Sequence, residues 1–422
     1  MKPGISPKCL MPATRMMARN NIGLSADPCS RLMVSFESLL EDELSRLAGA
    51  RQLRGRRLCK PIDAVRVDIN GQICVNFCSN NYLGLTHHPR VIDAVQIAAA
   101  KFGAGAGAAG LISGFTEQHA ATEAAVARWK GTESAVLLPS GYQANFAAVQ
   151  TLAALGKSRG GVRFLIDKLA HASLVDAVRG CDAHWRVFPH NSLGKLKRLL
   201  DDADEDELQV VVTESIFSMD GDAVDLAALN ELKQRRPFIL LLDEAHASGV
   251  YGPQGAGLAA ERGLTEMVDV FVVTFSKAAG LVGGGICGTK KFCDAVVNLG
   301  RAFIYSTNIP PAIAAGIEPA ISIMRDEPAR QERLRSLSKN LRARLRAKGF
   351  DLADGDSPIL PIIVGEESAA LDLADRLLKD QLLVGAIRPP TVPRGTSRLR
   401  VTLSCEHTDE QIEKLANSIS LK

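Results

Sequence analysis

Five short, unbroken apolar runs punctuate the middle of the chain, at 135–138, 164–166, 210–212, 238–242 and 270–273. Helical patterns separate most of them. A run that is apolar at every residue, rather than at alternate ones, fits a strand covered on both faces. Such strands alternating with helices specify an α/β doubly wound fold with a mainly parallel central sheet flanked by helices. In sheets of this kind ligands bind outside the carboxyl ends of the strands. Ser140, Thr213, Asp243 and Lys277 all stand at or just past those ends.

The flanks read differently. Residues 35–50 place Leu39, Leu40, Leu44 and Leu47 at helical spacing. Residues 65–77 alternate about Asn70-Gly71, a hairpin signal, and 89–102 read as a helix. After 309 the character changes. Pro310-Pro311 breaks the chain, and a long charged helix follows over about 312–348, with a break at Glu327-Pro328. A strand at 359–364, a helix at 368–381, a Pro-rich loop at 388–393, a strand at 399–403 and a last helix complete a smaller α+β domain. The expected organisation is a disordered tail over 1–32, a helix and hairpin segment over 33–76, a large α/β domain over 77–309 and the α+β domain over 310–422.

Charge is nearly balanced, 50 basic against 47 acidic residues, which gives no electrostatic case for nucleic acid or an anionic membrane. The nine cysteines are odd in number and form no C-x-x-C, so neither a disulfide framework nor a metal site is expected, and a reducing cytoplasm is. No apolar run reaches the roughly 18 residues of a membrane span. The first 32 residues hold Lys2, Lys8, Arg15, Arg19 and Arg31 against Asp27 alone. A transit peptide, a disordered tail and a start at a later methionine all fit that composition; a dispensable tail is the expectation adopted.

Lys277 and Asp243, each closing a strand, suit one chemistry well. A lysine can hold a carbonyl cofactor as an imine, and an acid can keep a pyridine nitrogen protonated so that the ring accepts electrons. That is pyridoxal phosphate (PLP) catalysis. A phosphate needs backbone N–H donors at a helix start, and Ser140-Gly141-Tyr142, between a strand and a helix, offers them. The hydroxyls of Thr274 and Ser276 flank Lys277. His171, after the strand at 164–166, can stack on a planar ring. His246 can either meet the ring's phenolic oxygen or cap the next helix. Arg398 and Arg400 share one face of a strand, and either can clamp a carboxylate. Two other motifs fail. Asp243-Glu244-Ala245-His246 spells a helicase box, but the phosphate loop it needs is broken, because Thr151 stands where the first glycine of a loop ending Gly156-Lys157-Ser158 belongs. Gly105-x-Gly107-x-x-Gly110 has the spacing of a dinucleotide fingerprint but follows a helix, not a strand.

With these positions aligned, the chain resembles the α-oxoamine synthases, a family of fold-type I PLP enzymes. The resemblance rests on Ser79-Asn80-Asn81-Tyr82-Leu83-Gly84-Leu85, His171-Ala172-Ser173-Leu174, Ser215-Ile216-Phe217-Ser218-Met219-Asp220-Gly221-Asp222, Asp243-Glu244-Ala245-His246 and Thr274-Phe275-Ser276-Lys277, in family order. Ala386-Ile387-Arg388-Pro389-Pro390-Thr391-Val392-Pro393, followed by Gly395-Thr396 and Arg398-Leu399-Arg400, is most similar to the branch that serves biotin synthesis. The resemblance implies a homodimer with its active site at the subunit interface. It implies PLP on Lys277, with His171 against the ring and Asp243 at the ring nitrogen. His246 and Ser218 would lie near the phenolic oxygen. Ser140, Gly141, Tyr142 and Thr274 would serve the cofactor, and Thr307 would reach it from the partner subunit. Asn80 and Arg400 would hold the amino-acid carboxylate. Arg54 would stand near the acyl-donor entrance, with Thr391 also on the substrate side. The implied reaction joins an amino acid, L-alanine in that branch, to an acyl thioester on coenzyme A or a carrier protein, with loss of carbon dioxide. Glycine-using members and non-catalytic PLP-fold subunits are the alternatives. The chain departs from the family in Ala106, Ala108 and Ala109 and in Ala278-Ala279-Gly280-Leu281, small changes that bear on the acyl pocket.

Overall fold

The structure, a computed structural model, describes residues 35–158, 160–204 and 206–420; the expected tail over 1–32 lies outside them. The chain divides into two units, one ending at Gly55 and one beginning at Arg56. The described part of the first unit is built on the helix Phe36–Gly49, whose N-terminus is capped by Ser35 Oγ accepting from Ser38 N at 3.0 Å.

The second unit is organised on a seven-stranded sheet. Its spatial order is Ser134–Leu138, Gly284–Gly288, Val270–Thr274, Ile239–Asp243, Leu208–Glu214, Val162–Asp167 and His184–Phe188. The last five pair in parallel. Gly284–Gly288 pairs antiparallel with both of its neighbours, so the other six strands all run the same way. The expected mainly parallel sheet is therefore present, and its six carboxyl ends share one edge. Alternate residues feed opposite faces: Phe164, Ile166, Val210, Val212 and Leu241 pack on one side, Leu165, Val211, Leu240 and Leu242 on the other. Both faces are covered, which is why these runs carry no polar alternation. Each such side chain contributes about 2 kcal/mol by leaving water.

The strand Gly284–Gly288 was not foreseen. Three of its five residues are glycine, a residue that sequence reasoning assigns to loops. Close packing explains the choice. A Cβ on Gly284 would lie 2.6 Å from Gly141 N, and one on Gly285 would lie 3.1 Å from Val273 Cγ2. The helix that opens at Gly141 can approach the sheet only because that space is empty. The edge strand His184–Phe188 was also missed; its exposed and half-buried residues carry little apolar signal.

The flanking elements follow the sequence pattern. The strands Arg66–Ile69 and Gln72–Asn76 form an antiparallel hairpin, and Asn70 and Gly71, at φ 54° and 85°, supply the left-handed turn it needs. The long charged stretch becomes two helices, Pro311–Asp326 and Ala329–Ala347, parted at Glu327-Pro328. Ile359–Gly365, Ser397–Thr402 and Gly385–Ile387 make the small C-terminal sheet. Among the described residues no helix is long and apolar enough to cross a membrane.

Candidate active site

Three parallel strand ends and one helix start meet at a cavity of about 270 Å³. Lys277 stands in the connection between Val270–Thr274 and Gly284–Gly288. That connection is cross-braced: Phe275 N donates to Gly283 O at 2.9 Å, Leu281 N to Phe275 O at 2.8 Å, and Gly280 N to Lys277 O at 2.9 Å. Gly280, at φ 70°, lies so close to the backbone of Leu85 and Thr86 that a Cβ there would collide with it. The amine of Lys277 closes no hydrogen bond or ion pair among the described residues. Burial draws its pKa down, against the nearby charges of Asp243 and Glu214.

Asp243 ends the strand Ile239–Asp243 and is buried. Its Oδ1 accepts from Ala245 N at 2.9 Å and its Oδ2 from Asn145 Nδ2 at 2.8 Å. Glu214 stands beside it, in register on the next strand. Its Oε1 is buried and has no partner among the described residues. Burial first, then the charge of Asp243, holds the Glu214 proton well above the usual carboxylate range. His171 caps the helix Ala172–Arg179 and lines the cavity. Although the residue is exposed at the cavity mouth, desolvation still lowers its pKa, with Lys277 adding and Asp243 opposing. His246 is buried, and burial, then Lys277 and Arg400, hold it far below 6.5. Its Nδ1 lies 2.6 Å from the hydroxyl of Tyr82, which burial pushes up to about 12.

The helix Gly141–Gly156 begins at the cavity. Ser140 Oγ accepts from Gln143 N at 3.1 Å, while the N–H groups of Gly141 and Tyr142 have no acceptor among the described residues. A Cβ on Gly141 would lie 3.2 Å from Thr274 Cβ. The Thr274 hydroxyl donates to Gly283 O at 3.0 Å and lies 2.8 Å from that of Ser276. The phenol of Tyr142 donates to Asp176 Oδ2 at 2.9 Å, and its ring stacks on Phe146.

A second group adjoins the first through Tyr82, whose hydroxyl is 3.3 Å from Asn80 Oδ1. Arg400 Nη1 donates to the same Asn80 oxygen at 3.2 Å, and Arg400 Nε to the carbonyl of Ser218 at 2.7 Å. Arg398 and Arg400 are both buried, but among the described residues only Arg398 meets a carboxylate, that of Asp220. The loop carrying Ser218 is tied down by His190. Its Nδ1 is 2.9 Å from Asp167 Oδ1, its Nε2 is 2.8 Å from Asp222 Oδ2, and its ring meets Phe217 edge-on. Burial opposes the imidazolium, yet the two carboxylates override it and raise its pKa to about 10.

The cavity thus brings together Ser140, Gly141, Tyr142, His171, Asp243, His246, Thr274 and Lys277. Asn80, Ser218 and Arg400 join through the Tyr82 contacts. Thr307 is exposed and bridges to Ala109; Thr391 is exposed in the loop after Arg388. Arg54 belongs to the first unit. Tyr82, Asn145, Ser173, Glu214 and His190 were not singled out in advance. Asn145 carried a signal, since it is a polar residue set among Ala144, Ala147 and Ala148 on the buried face of a helix. A larger cavity of about 750 Å³ lies elsewhere, but most of its charged groups, such as Arg335 with Glu261 and Asp356, already pair with one another.

A free amine, an acid at a strand end, two open N–H donors at a glycine-made helix start and imidazoles over a small cavity fit PLP, group by group. The fold and this pocket define a PLP-dependent enzyme. The family model described as aminotransferase class I and II matches residues 72–419. An 8-amino-7-oxononanoate synthase of Gluconacetobacter diazotrophicus is 40% identical over 374 residues, covering 86% of this chain and 92% of that one. A structure of serine palmitoyltransferase with PLP superposes with a TM-score of 0.85 at 30% identity, covering 92% and 97%. An 8-amino-7-oxononanoate synthase of Francisella tularensis gives 0.70 at 25% identity, covering 82% and 96%. The chain belongs to the aminotransferase class I and II family, as a PLP-dependent acyltransferase of the α-oxoamine synthase type that is similar to the 8-amino-7-oxononanoate synthases.

Proposed function

We propose that this protein condenses L-alanine with a pimeloyl thioester, on coenzyme A or a carrier protein, to give 8-amino-7-oxononanoate for biotin synthesis in the cytoplasm. The observation that carries the reading is the convergence of Lys277, Asp243 and His171 on one cavity, in a chain this similar to enzymes of that name. PLP bound there supplies an electron-accepting ring that stabilises negative charge at the amino acid's Cα.

The chain's own groups do the rest. Lys277 Nζ would hold the cofactor through its carbonyl carbon, and the free amine would serve as the base at the amino acid's Cα. A lowered pKa leaves more of that amine unprotonated and able to act as a base. Asp243, held in place by Ala245 N and Asn145, would pair with the ring nitrogen. His171 would cover the ring, and His246 and Ser218 would serve its phenolic oxygen. Gly141 and Tyr142 N–H, with the hydroxyls of Ser140 and Thr274, receive the phosphate. Arg400 and Asn80 take the amino-acid carboxylate. The pairing of Arg398 with Asp220 supports this choice, because Arg400 is a buried guanidinium with no carboxylate partner among the described residues. Arg54 and Thr391 serve the acyl donor. A homodimer completes the site, with Thr307 serving the cofactor of the partner subunit. Leu111, Ile112, Phe115 and Tyr305, all exposed beside that segment, suit a subunit interface.

A panel of amino acids against acyl thioesters tests the reading. Product from alanine and the pimeloyl thioester is expected. Turnover with glycine or serine and not alanine would overturn the substrate assignment and leave the reaction class standing.

A further inference from the structure

Four side chains beside the cavity form one unbroken hydrogen-bonded line. Asn145, buried within the helix Gly141–Gly156, sets its Nδ2 2.8 Å from Asp243 Oδ2 and 2.8 Å from Ser173 Oγ. Ser173, also buried, sets its Oγ 2.7 Å from His171 Nδ1, and its backbone N lies 3.2 Å from the same nitrogen.

Chemistry fixes the direction of each bond. A carboxylate oxygen accepts, so Asn145 must turn its NH₂ toward Asp243 rather than its oxygen. The second amide hydrogen then goes to Ser173 Oγ. A backbone N–H can only donate, so His171 Nδ1 is an acceptor and bears no hydrogen. The Ser173 hydroxyl, already accepting from Asn145, donates to that same lone pair. The ring hydrogen of neutral His171 is left on Nε2.

We infer that Asn145 and Ser173 are positioning residues that lock His171 as its Nε2–H tautomer and tie that choice to the carboxylate of Asp243. Neutral His171 then offers a donor at Nε2 and cannot accept a proton there. Protonating Nδ1 would cost the ring both bonds from Ser173. The charged and titratable groups around the imidazole are Asp243, Lys277, Asp176 and His246, with Glu214 accepting from the His171 backbone. Of these Asp243 and Asp176 favour the cation and Lys277 disfavours it. The consequence for catalysis rests on the reading of this cavity as the PLP site; the tautomer does not.

The test is nitrogen NMR of protein labelled at histidine, with PLP and without it, His171 being assigned by difference against His171→Gln. A resonance pair for unprotonated Nδ1 and protonated Nε2 is expected at neutral pH. Ser173→Ala keeps the backbone N–H donor and loses the hydroxyl, so it should admit a minor Nδ1–H population, raise the pKa of His171 and lower kcat by about tenfold or more, with little change in KM. Ser173→Thr, which keeps the hydroxyl, should restore the single tautomer. An Nδ1–H or doubly protonated ring in the wild type would overturn the inference, whatever the variants do. So would an unchanged tautomer and pH profile in Ser173→Ala. Failure of the proposed reaction with every acyl thioester would leave the NMR result untouched, so the two readings fail separately.

Discussion

His190→Gln removes a positive charge held between two carboxylates at the base of the loop that carries Ser218. The imidazole moves from an ordinary 6.5 to about 10 on folding. At about 1.4 kcal/mol per pH unit, that span sets a ceiling of about 5 kcal/mol on the contribution of the charge. The side chain is 23% exposed and Asp222 28%, so solvent screening reduces this to about 2–3 kcal/mol. The sign follows from the direction of the change. The folded pKa lies above the unfolded one, so the stabilisation is full below pH 6.5 and disappears as pH rises through about 10. Denaturant unfolding of both proteins, each saturated with PLP and followed by tryptophan fluorescence, measures it. The gap between wild type and variant should be widest below pH 6.5, narrow steadily above it, and retain near pH 10 little beyond what the lost Phe217 contact contributes. Two stability curves that run parallel over this range would show that His190 carries no extra proton in the folded state, and the clamp argument would fail.

Lys277→Ala should fold yet lack the visible absorbance of lysine-bound cofactor; an adduct that borohydride still fixes in the variant would place the attachment elsewhere. Asp243→Asn should bind PLP and lose most activity, because an amide cannot hold the pyridine nitrogen protonated, and near-normal turnover would assign that task to another group. Arg400→Lys should raise KM for the amino acid about tenfold or more, since a planar bidentate pair is lost, while Arg398→Lys should change it less; an effect on the acyl donor alone would move Arg400 to the other substrate. Glu214→Gln should leave stability within about 1 kcal/mol at neutral pH, because burial and the neighbouring Asp243 favour the protonated carboxyl, and an amide is a neutral group of similar shape. Strong destabilisation in thermal melts would show that Glu214 is ionised.

The parts of this molecule that repeat a pattern were legible before any coordinates. Both faces of the sheet are buried, so 210–212 and 238–242 had to be apolar throughout, and their ends marked the edge where Asp243 and Lys277 meet. Asn70-Gly71 and Glu327-Pro328 announced their turn and break through backbone chemistry alone. Gly284–Gly288 stayed hidden because its glycines answer to close tertiary neighbours, Gly284 to the helix start at Gly141, nearly 150 residues away in sequence. Asn145, Glu214 and His190 were hidden for a related reason. Each earns its place by what it touches across strands and helices, and no local period encodes that. Strand alternation alone left Arg398 and Arg400 open; the resemblance pointed to Arg400, and the pairing of Arg398 with Asp220 is a contact that no local pattern encodes.

Gly280 joins two parts of the enzyme that are usually thought of separately. It belongs to the connection that carries Lys277, and it abuts the backbone of Leu85 and Thr86, a few residues from Asn80 and Tyr82. With no side chain between them, the proposed cofactor anchor and the loop proposed to hold the amino acid share a single mechanical joint. A lineage adapting this scaffold to a bulkier amino acid could not retreat the 80–86 segment here without freeing the lysine connection, nor widen the joint without pushing both. Changes of substrate are therefore expected to leave Gly280 and the Leu85-Thr86 backbone in place.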